Sequence, residues 1–171
     1  MNQKLAALAV ALLIPVSGCA GQMPDHDPVQ ASPVAAEKNV FVIRHLQKGE
    51  GADPSLSAQG AANAQRLAAM LKDEGIVAIF ATPTRRAMET GAPLAKALGI
   101  AVTPYDPSNI AMLAAQVKAA AGPVLIVGHS NTVPDLVALF GGTRPAPLSE
   151  EDYGILFEVG ADGDVTTAAV R

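Results

Sequence analysis

Apolar residues follow two rhythms along this chain. Val40-Phe41-Val42-Ile43 and Val124-Leu125-Ile126-Val127 are unbroken runs, rich in β-branched residues and too short for a helix. Each reads as a buried strand. Ile76 to Ala81 repeats the pattern, and Ile100 to Thr103 repeats it more weakly. Between these runs the spacing becomes helical. Ala64, Leu67, Ala68 and Leu71 share one face of a helix that Ser57 caps and that reaches about Glu74, with Gly75 ending it. Further helices are predicted from about Thr84 to Leu98, ended by Gly99, from Pro107-Ser108 to about Ala121, and from Val133 to Phe140, stopped by Gly141-Gly142. Thr143 to Asp152 is a proline-containing loop. Ile155 to Val159 and Val165 to Val170 read as a closing pair of strands. Strands alternating with helices predict an α/β fold: a mostly parallel central sheet with helices on both faces.

The first 38 residues follow neither rhythm. Met1-Asn2-Gln3-Lys4 is a short positive start, and Leu5 to Val16 is apolar but too short to cross a bilayer as a mature helix. Val16-Ser17-Gly18 leads into Cys19, which resembles a bacterial lipobox, where the cysteine is lipidated and becomes the new N-terminus. A plain secretory leader with an incidental cysteine is the alternative. Cys19 is the only cysteine, so no intramolecular disulfide can form. The expected organisation is a leader over residues 1–18, a flexible Pro- and Ala-rich tether over 19–38, and one domain over 39–171. A lipid on Cys19 would hold that domain in the cell envelope, outside the cytoplasm. Ala20, where an aspartate would favour the inner membrane, points to the outer membrane facing the periplasm in an organism with two. His26, between Asp25 and Asp27 in the tether, reads as a solvated histidine rather than a metal ligand.

Length and composition narrow the partners. The 171 residues suffice for one core, and half of them are hydrophobic. Aromatics are only 4% and Trp is absent, so Ala, Leu and Val must fill that core. The net charge of −4 becomes about −5 without residues 1–18, which hold Lys4 alone among charged residues. A nucleic-acid partner, which asks for a basic face, is therefore not expected.

The chemistry gathers where strands end. Arg44-His45 follows the first run, and Gly128-His129 follows the run at Val124. The carboxyl edge of an open α/β sheet is where ligands bind. An imidazole can attack phosphorus, and a neighbouring guanidinium can grip phosphate oxygens in pairs. An anionic group, phosphate first, is the expected ligand.

Three strand ends together resemble the histidine phosphatase superfamily, also called phosphoglycerate-mutase-like. They are Arg44-His45, the stretch Thr82-Pro83-Thr84-Arg85-Arg86-Ala87-Met88-Glu89-Thr90, and Gly128-His129-Ser130. Ser57-Ala58-Gln59-Gly60 resembles a fourth motif of that family, and the order is kept across roughly residues 39–159. The resemblance implies a three-layer, phosphoglycerate-mutase-like fold. It also implies that His45 is the nucleophile, that Arg44 and Arg86 hold the phosphoryl group, and that His129 donates to its oxygens. Arg86 rather than Arg85 fits, because it precedes Ala87 and lies four positions after Thr82.

Two departures stand out. Leu46-Gln47 replaces the family's small and acidic pair after Arg-His, although Lys48 keeps a positive charge there. The general acid is also unsettled. Asp106, after the third strand, is the first candidate, with Glu50 and Asp53 behind it. The implied activity is an extracytoplasmic phosphatase acting on a phosphorylated small molecule or phosphoprotein, with no metal or other cofactor. The competing reading is a phosphate-ligand-binding lipoprotein of the same fold with little or no turnover.

Overall fold

The computed structural model describes residues 38–171. Cys19, His26 and the expected leader and tether lie outside the described residues, apart from Lys38. The elements in chain order are β1 (Val40–Arg44), α1 (Ala58–Leu71), β2 (Ala78–Ala81), α2 (Arg85–Leu98), β3 (Val102–Pro104), α3 (Ile110–Ala119), β4 (Val124–Gly128), α4 (Val133–Leu139), β5 (Ile155–Val159) and β6 (Val165–Ala169).

One six-stranded sheet has the order β3-β2-β4-β1-β5-β6. The β3–β2, β2–β4 and β4–β1 pairs are parallel, whereas β5 and β6 join as antiparallel strands. The expected α/β architecture with a mostly parallel sheet is therefore what the chain adopts. The unbroken apolar runs follow from burial on both faces. Phe41, Ile43, Leu125 and Val127 pack on one face with Leu67, Leu71 and Leu94 from α1 and α2. Val40, Val42, Val124 and Ile126 pack on the other with Leu113, Val117, Leu136 and Val137 from α3 and α4.

Several boundaries differ from the sequence reading, β2 among them, which begins at Ala78 rather than Ile76. Helix α1 stops at Leu71, and its last turn gives way to Gly75 in the left-handed region. Strand β3 begins at Val102, two residues late. Helix α3 begins at Ile110, not at Pro107-Ser108, because Asn109 is its cap and accepts from the Met112 amide. Residues 106–109 form a turn instead: the Asp106 carboxylate accepts from both the Ser108 amide and its hydroxyl.

What positions the site is the strand order. The strands β2, β4 and β1 carry the three motifs and lie side by side. Arg44 stands opposite Gly128 in the register. The ladder continues past the strands, with the His45 amide on the Gly128 carbonyl at 2.9 Å and the Thr82 amide on the Val127 carbonyl at 3.2 Å.

Candidate active site

His45 is buried at the end of β1. Its Nδ1 lies 2.9 Å from the Leu46 carbonyl oxygen. A carbonyl can only accept, so Nδ1 carries the proton and Nε2 carries the lone pair. The Nε–H of Arg86 points at that lone pair from 3.1 Å. Burial pushes the His45 pKa down to about 4, and the positive neighbours Arg44 and Arg86 act in the same direction. At neutral pH the ring is an uncharged nucleophile with its reactive nitrogen fixed.

The loop after His45 is fixed by backbone contacts. Leu46 is buried in the core, and its amide donates to the Thr90 hydroxyl at 3.1 Å. Thr90 in turn donates to the Arg86 carbonyl at 2.8 Å. The carbonyl of Gln47 accepts from the Ser57 amide, and Gly60 closes the joint. A Cβ on Gly60 would stand 2.0 Å from the Gln47 carbonyl oxygen, so only glycine permits this approach. Leu46-Gln47 is thus held through its backbone, whatever its side chains.

His129 follows β4, with its Nε2 within 2.9 Å of the Thr82 hydroxyl. Its ring meets that of His45 edge-on at 5.1 Å between centroids. Burial, then Arg86 and Arg44, hold its pKa below the usual value, against a smaller upward pull from Glu150. Gly128 leaves room for Thr132, whose hydroxyl takes the His129 amide at 2.9 Å; a Cβ would come within 2.7 Å of it.

Arg44 is 2% exposed. Its guanidinium carbon lies 4.2 Å from the centre of the Tyr153 ring, a cation–π stack that holds the plane in place. Its Nη1 donates to the Ser149 carbonyl at 2.7 Å and its Nη2 to the Glu150 carboxylate at 3.1 Å. Arg86 sits in the first turn of α2, with its Nη1 3.6 Å from Asp53.

Arg44, His45, Lys48, Arg86, His129, Ser130, Asn131 and Glu150 line a cavity of about 320 Å³. Arg44, His45, Arg86 and His129 are thus brought together. Arg85 is exposed and offers its backbone amide to Asp53 instead. Asp106, the first candidate for the acid, is absent from the lining; its exposed carboxylate is held by Ser108, which keeps its pKa low. Glu50 does not line the cavity either, and Asp53 is occupied with the start of α2 and Arg86.

Residues 42–107 match the family model of the histidine phosphatase superfamily (branch 1). Solved structures extend the likeness to about three quarters of the chain. The protein histidine phosphatase SixA complexed with tungstate superposes with a TM-score of 0.58 at 21% identity, over 76% of this chain and 94% of that one. This chain and that protein share one fold. The mycobacterial glucosyl-3-phosphoglycerate phosphatase Rv2419c complexed with inorganic phosphate gives a TM-score of 0.59 at 14% identity, over 77% of this chain and 96% of that one. A curated relative, the uncharacterized protein Rv0525 of Mycobacterium tuberculosis, is 42% identical over 85 residues, 43% of this chain. The chain spans about 40% of the length of that relative. The segment that matches the histidine phosphatase model carries Arg44, His45 and Arg86, and β4 adds His129 from beyond it.

Sequence reasoning missed Glu150 and Tyr153. Both lie in or beside a proline-containing loop about a hundred residues from Arg44, with no local pattern to mark them. Only the antiparallel return of β5 beside β1 brings that loop to the site.

Proposed function

We propose that this protein is a phosphatase that hydrolyses a phosphomonoester or related phospho-compound through a phosphohistidine on His45, without a metal. The observation that carries the reading is the lone pair of His45 Nε2, held unprotonated in a cavity lined by Arg44, Arg86 and His129. Nε2 attacks phosphorus and the bond to the leaving oxygen, or nitrogen in a phosphohistidine, breaks, the leaving group taking any proton it needs from solvent. The Arg86 Nε–H moves from the ring nitrogen to a phosphoryl oxygen as the new bond forms. Water then attacks the same phosphorus, the P–N bond breaks, and the ring recovers its lone pair. The guanidinium groups stabilise charge on the phosphoryl oxygens, the work a bound cation performs in other phosphoryl transfers.

With Asp106 outside the cavity, leaving groups that need little protonation suit this site best, such as aryl phosphates or phosphohistidine. The substrate is a phosphorylated small molecule or phosphoprotein. The SixA complex with tungstate and the Rv2419c complex with inorganic phosphate support an oxyanion as the ligand of a protein with this fold. The lipobox-like segment at Cys19 supports a lipid-anchored, extracytoplasmic location.

The test is turnover of para-nitrophenyl phosphate by the wild-type protein and by His45→Ala. Activity should vanish in the variant while its circular dichroism is unchanged, and rapid quench of the wild type should trap an acid-labile phosphoenzyme. Full activity in His45→Ala would refute the assignment.

A further inference from the structure

The cavity that would take the phosphoryl group already holds an anionic group. Glu150 places one carboxylate oxygen 3.1 Å from Arg44 Nη2 and the other 3.1 Å from the Ser130 hydroxyl. Ser149, its neighbour, covers the other terminal nitrogen of Arg44 with a carbonyl oxygen. Both terminal nitrogens of the guanidinium are therefore engaged by two consecutive residues of the 143–152 loop.

We propose that Glu150 is an affinity-determining residue of this site: its carboxylate occupies an oxyanion position between Arg44 and Ser130, and a phosphoryl group must displace it to reach them. This rests on the reading of the cavity as a phosphoryl site.

The two partners differ in freedom. Arg44 is 2% exposed, clamped by the sheet below and Tyr153 beside it, and stays where it is. The Glu150 side chain is 77% exposed and can swing into solvent. An ion pair with one exposed member contributes little to stability, so its loss opposes ligand entry only weakly. Ser130, followed by Arg44, keeps the Glu150 carboxyl below the usual pKa, so it is ionised at neutral pH. A carboxylate and a phosphoryl group draw on the same donors and repel each other when both are near. Glu150 is also the one carboxylate lining the cavity among the described residues. Lys48 and Arg86 line the same cavity, and neither is hydrogen-bonded to Glu150.

Calorimetric titration with inorganic phosphate, on the wild type, Glu150→Gln and Glu150→Ala, tests the proposal. Both variants should bind phosphate about two- to fivefold more tightly. The KM for para-nitrophenyl phosphate should fall with them. Equal or weaker phosphate binding in both variants, with a binding wild type, would overturn the competition and make Glu150 a prop for Arg44. A kcat loss of about a hundredfold with unchanged phosphate affinity would overturn it too, and would make Glu150 a proton donor. If no form binds phosphate, the phosphoryl reading of the cavity falls as well.

Discussion

Leu46 decides which nitrogen of His45 is free, because its carbonyl oxygen accepts the Nδ1 proton at 2.9 Å. The side chain of Leu46 faces the core and takes no part. A residue that looks wrong for the motif by its side chain thus serves through its backbone, and its replacement of a small residue leaves the tautomer of His45 intact.

Burial lowers His45 from 6.5 to about 4, so the folded protein resists a proton that the unfolded chain accepts. As pH falls below 6.5 the unfolded state binds the proton first, and stability drops until the pH passes about 4. Above 6.5 this contribution is fully present. Its size is at most about 3 kcal/mol. Urea unfolding at pH 7 and pH 4.5 should show His45→Asn losing less stability between the two than the wild type. The acid limb of kcat/KM should likewise fall near pH 4 rather than near 6.5. An identical drop in stability for both proteins would assign the proton to another group.

Arg86→Ala should weaken vanadate inhibition about tenfold to a hundredfold, the value of a sheltered, charge-assisted contact of about 1.5–3 kcal/mol. Arg85→Ala should change it by less than about twofold, because Arg85 is exposed and does not line the cavity. Equal losses would mean that both arginines reach the anion.

Thr90→Val removes the acceptor of the buried Leu46 amide and the donor to the Arg86 carbonyl. An unpaired buried amide costs about 1–3 kcal/mol. The midpoint of urea unfolding should fall, and kcat should fall with it as the Leu46 carbonyl loses its fixed position. Thr90→Ser keeps the hydroxyl and should restore kcat. Failure of the serine variant to do so would show that the methyl group, not the hydroxyl, matters.

Gly60→Ala should destabilise the protein by about 1–3 kcal/mol, the usual cost of forcing an atom into a filled space. Its Cβ would meet the Gln47 carbonyl oxygen, so the loop after His45 must shift. Activity should fall further than stability alone accounts for, measured well below the unfolding transition. A wild-type kcat in a stable Gly60→Ala protein would show that this joint does not position His45.

Location is tested by Cys19→Ala, which should leave the protein soluble or as an unprocessed precursor after membrane fractionation. Two or more acyl chains anchor stably, whereas one binds only marginally. Unchanged membrane association of a processed variant would show that something other than lipid holds it.

Much of the fold was legible because burial on both faces leaves uninterrupted apolar runs such as Val124 to Val127, which length alone separates from helices. Helix starts were legible where a side chain caps them, as Ser57 does through the Gly60 amide. The start of α3 was not, because Pro107, Ser108 and Asn109 offer similar signals in succession, and the Asp106 carboxylate settles the first two as a turn. Arg44, His45 and His129 were readable at strand ends, and Arg86 only through the motif resemblance that begins at Thr82. Glu150 and Tyr153 were not, because neither lies at the end of a parallel strand and their contacts with Arg44 span more than a hundred residues.

The place of β4 between β1 and β2 has a consequence for synthesis. The ribosome delivers β1, β2 and β3 before the strand that must lie between the first two. Until Val124 to His129 have emerged, the nascent chain lacks the middle of its sheet, and His45 has no His129 beside it. Arrival of that one segment completes the interior and the reactive pocket in the same event. A chain stalled at residue 122 should therefore bind no oxyanion and be cleaved readily by protease, while release of a further few dozen residues brings protection and binding together.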